Sequence, residues 1–189
     1  GLYMFVGNIK FAALQFCKEA PHTRLFLIKV IDCQPCILGN LKEAVGTIGS
    51  FDVSNFETVL VDELIPYIDA NFRTIAKKEG RAMAGLSMGG METKNITLAR
   101  PDVFDYYGLF SGGTISVEEA NNTPGFRETY DLVFVSFGGR EVENPRGGVD
   151  PGKTTADLKA SGMNAHYYVS PETAHEWQTW RRSLYQFAQ

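Results

Sequence analysis

The chain has 189 residues, 44% of them apolar, enough to fill the core of one compact domain. Its 18 basic and 22 acidic side chains leave a net charge of −4, which gives no electrostatic basis for binding nucleic acid. No stretch reaches the roughly 20 continuous apolar residues that a membrane span requires, and no repeat or low-complexity run divides residues 1–189, so a single domain and no membrane partner are expected.

Residues 1–16 are largely apolar, but Lys10 lies in their midst and no charged leader precedes them, so they lack the form of a signal peptide. Residues 25–31 read as an apolar strand, followed by Cys33-Gln34-Pro35-Cys36 and a helical stretch at 41–45. A C-x-P-C between strand and helix is how a thioredoxin-like redox site begins, because the helix N-terminus lowers the pKa of the first thiol. Gly39 interrupts that helix and nothing downstream follows the thioredoxin plan, so Cys33 and Cys36 are read as inert, buried thiols. Two cysteines with His22 lack the second matched pair of a metal site, and neither metal nor cofactor is expected.

The apolar residues of 56–68 recur at helical spacing, with Ser54 or Asn55 to cap the start and Pro66 to kink or tighten a helix running on towards Phe72. Residues 81–84 form a short apolar strand, and 90–100 a helix stopped by Pro101. Then come a strand at 106–110 ending in Ser111-Gly112-Gly113, a surface excursion over 114–127, and a continuous apolar run at 132–137 of the kind covered on both faces. A helix at 153–160 closed by Gly162, a strand at 165–169 and a helix at 176–187 complete the chain. Repeated β–α units predict an α/β fold, a mostly parallel sheet with helices on both faces.

Between the strand at 81–84 and its helix stands Gly85-Leu86-Ser87-Met88-Gly89. This G-x-S-x-G is the form of a nucleophile elbow, in which small residues let the chain turn sharply and leave the serine Oγ exposed. A glycine-rich turn at a helix N-terminus can also cradle a phosphate, but that use wants a following lysine or a G-x-G-x-x-G spacing, and neither is present. In open α/β sheets, function gathers at the carboxyl ends of the strands. There the chain offers Ser87, then Glu141 after the strand at 132–137, then His175 after the last strand, in the order serine, carboxylate, histidine. His175 stands in a loop ahead of a helix, as a base needs, whereas His22 lies in a polar turn and His166 reads as a satisfied histidine within a strand. Glu141 is the favoured acid, with Asp150 and Glu143 as rivals in the same loop and Asp157 read as an exposed helical charge. The backbone N–H of Met88 is the expected oxyanion donor. Trp177 and Trp180, three apart, share a helix face; Trp180 is read as core, and Trp177 as either core or a platform for an aromatic ring or sugar. Gly112 and the 114–127 excursion are candidates for the pocket wall.

Gly85-Leu86-Ser87-Met88-Gly89-Gly90, the step Arg100-Pro101-Asp102-Val103-Phe104 and the block Thr173-Ala174-His175-Glu176-Trp177-Gln178-Thr179-Trp180-Arg181-Arg182 together resemble the bacterial feruloyl and acetylxylan esterases. These form the carbohydrate esterase family 1 branch of the α/β-hydrolases, close in motif to esterase D, and the resemblance covers about residues 51–189. In that branch the acid commonly stands three residues beyond a glycine ending its strand, which maps onto Gly138 and Glu141. The resemblance implies hydrolysis of acyl esters on plant cell-wall xylan, no metal or cofactor, and secretion. The family also carries, ahead of the position of Phe51, a strand ending in a His-Gly pair that helps form the oxyanion hole; residues 1–50 hold no such pair and are read as a divergent or incomplete segment. Two alternatives follow from that departure: completion of the fold by a neighbouring subunit in a homo-oligomer, and a catalytically impaired binding or assembly domain.

Overall fold

The computed structural model describes residues 2–6, 10–14, 53–143 and 149–189. Among the described residues six strands form one sheet: β1 (Leu2–Val6), β2 (Lys10–Leu14), β3 (Ala82–Leu86), β4 (Tyr106–Phe110), β5 (Leu132–Gly138) and β6 (Ala165–Ser170), in the order β2-β1-β3-β4-β5-β6. β2 pairs antiparallel with β1, and every other neighbour pairs in parallel. The register sets Leu86 beside Phe110, Phe110 beside Ser136, and Gly138 beside Ser170. The loops after β3, β4, β5 and β6 therefore leave from the same edge.

Helices α1 (Val53–Thr58), α2 (Ile65–Asn71), α3 (Met88–Ala99), α4 (Val117–Asn122), α5 (Gly139–Val142), α6 (Pro151–Ala160) and α7 (Trp177–Phe187) complete the described elements, with a π-helical turn over Val59–Leu64 and a 3-10 turn over Lys78–Gly80. Side chains alternate across the strands and divide the core in two. Met83, Tyr107, Leu109, Val133 and Val135 pack with Leu60, Ile96, Phe104 and Leu158 on one face. Ala82, Ala84, Leu86, Phe110 and Phe134 pack with Phe187 of α7 on the other. Phe110, Phe134 and Phe187 meet there with ring centroids 5.5–5.9 Å apart. Burial on both faces explains why β3, β4 and β5 read as near-continuous apolar runs rather than alternating ones.

The sequence-predicted elements from residue 81 onward appear within one or two residues of their expected bounds, with α4 and α5 added. Three differences stand out, and the first two have physical causes. The helix expected from Phe56 begins at Val53 and widens to a π-turn before Pro66, where the N–H of Ile65 bonds to the carbonyl of Leu60. Proline lacks an N–H and its ring crowds the carbonyl four residues back, so the ladder loosens ahead of it. The 114–127 excursion contains α4, started by a capping box in which the Ser116 hydroxyl accepts from the Glu119 N–H and the Glu119 carboxylate accepts from the Ser116 N–H at 2.9 Å. Residues 2–6 and 10–14 are strands for which the sequence reading had no expectation. The expected strand at 25–31, the helical stretch at 41–45, His22, Cys33 and Cys36 lie outside the described residues. Among the described residues no helix is long and apolar enough to cross a membrane, and no cluster of His, Cys, Asp or Glu has the makings of a metal site.

Glu92 stands apart within α3. Its side chain is buried and its Oε2 has no hydrogen-bond partner, so burial raises the carboxyl above its ordinary value of 4.5. A carboxyl raised in this way favours the folded state while protonated; the destabilisation from its charge is absent below pH 4.5 and grows as pH rises through the folded value. Glu92→Gln is therefore expected to raise Tm at neutral pH by about 2–4 °C, the shift that ~1 kcal/mol produces in a chain of this size, and the gain should shrink as melts are repeated towards pH 4.5.

Candidate active site

Ser87 follows the last residue of β3 and immediately precedes α3, with φ 54° and ψ −122°. That conformation costs a non-glycine residue about 1–3 kcal/mol and persists only where its surroundings enforce it. Here the Ser87 N–H donates to the Phe110 carbonyl at 2.8 Å, and the Ser87 carbonyl accepts from the Gly90 N–H at 3.0 Å. A side chain at Gly85 would overlap the carbonyl of Gly89, so the strand can fold back onto its helix only with glycine at that position. Gly112, two residues past β4, lies against the Ser87 carbonyl and Gly90, and a Cβ there would meet the Gly90 Cα at 2.5 Å. The elbow is thus clamped between its own helix and the chain leaving the neighbouring strand.

The loop after β6 carries His175 and is tied down at several points. The Arg140 N–H donates to the Thr173 carbonyl at 2.9 Å, and the Thr173 hydroxyl donates to the Ser170 carbonyl at 3.0 Å. Thr179, one turn into α7, lies with its Oγ1 2.5 Å from the Ala174 carbonyl and 2.6 Å from the Thr173 hydroxyl. Arg182 reaches back to the Pro171 carbonyl at 3.1 Å. These contacts bring His175 Nε2 to 2.7 Å from Ser87 Oγ. Its Nδ1 lies 2.7 Å from Oε1 of Glu141, which sits in the short helix α5 at the end of β5. The far oxygen, Glu141 Oε2, accepts from the Ser111 hydroxyl and from the Gly138 N–H, each at 2.7 Å.

This order of groups sets the proton positions. An ionised carboxylate only accepts, so Nδ1 of His175 carries the hydrogen, and the Nε2 lone pair is left facing the Ser87 hydroxyl. The glutamate is mostly buried, with 14% of its side chain exposed, against 35% for His175. A carboxylate shielded beneath an open imidazole can stabilise positive charge on that ring while the ring remains reachable.

Ser87, His175 and Glu141, placed together by the sequence reading, are in direct contact. Its rival carboxylates are elsewhere: Asp150 caps α6 by accepting from the Lys153 N–H at 3.0 Å, and Glu143 is exposed. Asp157 is, as expected, an exposed helical charge, paired with Lys153 at 2.5 Å. His166 is exposed on β6 with its ring against Phe134, centroids 5.5 Å apart, rather than satisfied within the sheet, because β6 is the edge strand. Met88 is the first residue of α3, so its N–H belongs to the first turn, which has no partner within the helix. Trp177 is 62% exposed and edge-on to Trp180, while Trp180 is half-buried against the α7-side core. Ser111 also contacts the triad, its hydroxyl donating to Glu141. It was legible only as part of a turn, Ser111-Gly112-Gly113, although its place at the end of a strand on the active edge was a usable signal.

Comparison with known proteins bears on this geometry. The Esterase family model matches residues 50–125. An endo-1,4-beta-xylanase/feruloyl esterase of Xylanibacter ruminicola is 52% identical over 144 residues, which is 76% of this chain and 19% of that protein. The chain thus spans less than a fifth of the length of that relative. A carbohydrate esterase family 1 ferulic acid esterase from Anaeromyces mucronatus superposes with a TM-score of 0.56 at 19% identity, over 76% of this chain and 57% of that one. A siderophore hydrolase from Aspergillus nidulans gives 0.54 at 18% identity, over 71% of this chain and 56% of that one.

The fold is that of the α/β-hydrolases, with a serine, a histidine and a glutamate joined across the carboxyl edge of its sheet. Within that fold the chain is similar to feruloyl esterases, in sequence to the Xylanibacter ruminicola protein and in structure to the Anaeromyces mucronatus carbohydrate esterase family 1 enzyme.

Because Gly112 abuts backbone rather than a movable side chain, Gly112→Ala is expected to displace the elbow. Thermal melts should show a loss of about 1–3 kcal/mol. Esterase activity should fall by more than the folded fraction does.

Proposed function

We propose that this chain is a serine carboxylic-ester hydrolase that removes feruloyl or acetyl groups from plant cell-wall xylan through an acyl-enzyme, with residues 1–189 acting as one esterase domain. The observation that carries this reading is the unbroken line Ser87 Oγ, His175 Nε2, His175 Nδ1, Glu141 Oε1, with both hydrogen bonds at 2.7 Å.

Ser87 Oγ attacks the ester carbonyl while His175 Nε2 takes its proton, and Glu141 holds the resulting imidazolium. The negative oxygen of the tetrahedral intermediate is met by the Met88 N–H, a donor of the kind whose loss costs about 10²–10³ in rate. Collapse breaks the ester C–O bond, and His175 returns the proton to the departing sugar oxygen. A water molecule then attacks the acyl-serine, with His175 again as base, and releases the acid. Base and acid both come from one chain, so the mechanism needs no neighbouring subunit for either, whatever homo-oligomer the protein forms.

Trp177 is the proposed aromatic platform for the acyl ring or sugar, and Gly112 part of the pocket wall. Trp177 and Trp180, with Leu86 and Arg181, line a cavity of about 550 Å³ beside the site. Several of the related structures are ferulic acid esterases, one in complex with ferulic acid and another, from Clostridium thermocellum, with sinapinate, which supports an aryl ester as the substrate. Acetylxylan esterase activity, action on xylan and secretion belong to the same proposal and rest on the resemblance of residues 51–189.

Turnover of methyl ferulate and 4-nitrophenyl acetate tests the reading. Ser87→Ala and His175→Ala should each lose about 10⁴-fold or more in kcat, and Glu141→Ala about 10²–10⁴-fold, with the folded structure retained by circular dichroism. Turnover by Ser87→Ala at the wild-type rate would overturn it.

A further inference from the structure

Glutamate as the acid raises a problem of orientation. It has one more rotatable bond than aspartate, and His175 engages only Oε1, so something else must hold the carboxylate in plane. Two donors do so at Oε2: the Gly138 N–H, which belongs to the backbone, and the Ser111 hydroxyl, which belongs to a side chain.

Ser111 bears the marks of a placed group. It is buried, 8% exposed, at the end of β4, and it is one of three non-glycine residues at positive φ, at 49°, among the described residues. Its N–H donates to the Ser136 carbonyl at 2.7 Å, anchoring it to the neighbouring strand. Its hydroxyl proton has one available direction. Trp180 Nε1 lies 3.1 Å from Ser111 Oγ and, as an indole nitrogen, can only donate. The indole N–H therefore occupies a lone pair of the serine, and the serine's single hydrogen goes to Glu141. The same indole stands edge-on to the His175 ring, centroids 5.1 Å apart and planes at 90°. Trp180 thus touches the base and steers the group that holds the acid.

We infer that Ser111 and Trp180 are positioning residues, forming a relay from Trp180 to Ser111 to Glu141 that locks the carboxylate against His175. The inference rests on the reading of Ser87, His175 and Glu141 as the catalytic groups. The relay acts before any substrate binds, and Ser111 contacts the carboxylate rather than the base or the nucleophile, so its loss falls on kcat rather than KM.

The test is steady-state hydrolysis of 4-nitrophenyl acetate by the full chain carrying Ser111→Ala, Ser111→Gly or Trp180→Phe, alone and combined with Glu141→Ala, with Ser87→Ala as reference. Both Ser111 variants should lower kcat about 10–100-fold, as expected for losing a hydrogen bond to a charged group, with KM within about twofold. Trp180→Phe should lower kcat less, about threefold, because Ser111 keeps its bond to Glu141. Ser111→Gly relieves the positive φ, so its Tm should equal or exceed that of the wild type while its kcat still falls. In the Glu141→Ala background, Ser111→Ala should change kcat by less than about twofold, since there is no carboxylate left to hold. Wild-type kcat in Ser111→Gly, or an undiminished Ser111→Ala effect without Glu141, would overturn the relay. If Ser87→Ala is inactive while Ser111→Gly is fully active, the relay alone falls. If Ser87→Ala retains activity, the esterase reading falls first.

Discussion

The site depends on holding Ser87 in a backbone conformation that an L-residue avoids. At φ 54° the turn is stable only because the packing around it leaves no alternative. Gly85 lets β3 fold against the first turn of α3, and Gly112 brings the chain leaving β4 up against the elbow. The hydrogen bond from Ser87 N–H to the Phe110 carbonyl continues the parallel ladder one residue past the strand. The two apolar cores, one on each face of the sheet, supply the stability that offsets this local strain. Enforcing the turn in the ground state means that, in the proposed acyl transfer, the hydroxyl needs no reorganisation.

Around that fixed point, the polar groups form a chain in which each partner settles the next one's protonation. Trp180 can only donate, so Ser111 donates to Glu141; Glu141 can only accept while ionised, so His175 holds its hydrogen on Nδ1; Nε2 is then free to accept from Ser87. A network of this kind is worth more than its separate bonds because a partly shielded environment strengthens each of them and leaves each group costly to strand. The network also ties α7 to the site. Its first turns carry Thr179 and Trp180, which secure the His175 loop and reach Ser111, so that the helix packing on the second core also positions the base.

Much of this was legible in the sequence, because the relevant signals are local. Apolar runs bounded by glycine and proline marked the strands from Ala82 onward, and G-x-S-x-G between strand and helix marked Ser87. The scarcity of histidine, with three in the chain, left His175 as the base by position. Glu141 was distinguishable from Asp150 and Glu143 through its distance from the end of β5 and through the resemblance that maps a strand-ending glycine onto Gly138, since any of the three could be brought near by a loop. What escaped was of two kinds. The helix α4 had a visible capping box at Ser116 and Glu119, masked by the surrounding asparagines, glycine and proline. Ser111 and the Trp180 indole had no local signature, because their meaning lies in contacts spanning 30 and 69 residues of sequence that exist only after the sheet and α7 are assembled. The π-turn before Pro66 lies between these cases: proline announced a disturbance of the helix but not its form.

The central claim is that His175, held by Glu141, makes Ser87 a nucleophile. The most direct measurement is covalent capture of the purified chain by a fluorophosphonate, read by peptide mass spectrometry. The account predicts a single adduct on the peptide containing Ser87, formed rapidly in the wild type and at least about 10²-fold more slowly in His175→Ala. Labelling at another residue, or equal labelling rates with and without His175, would contradict it.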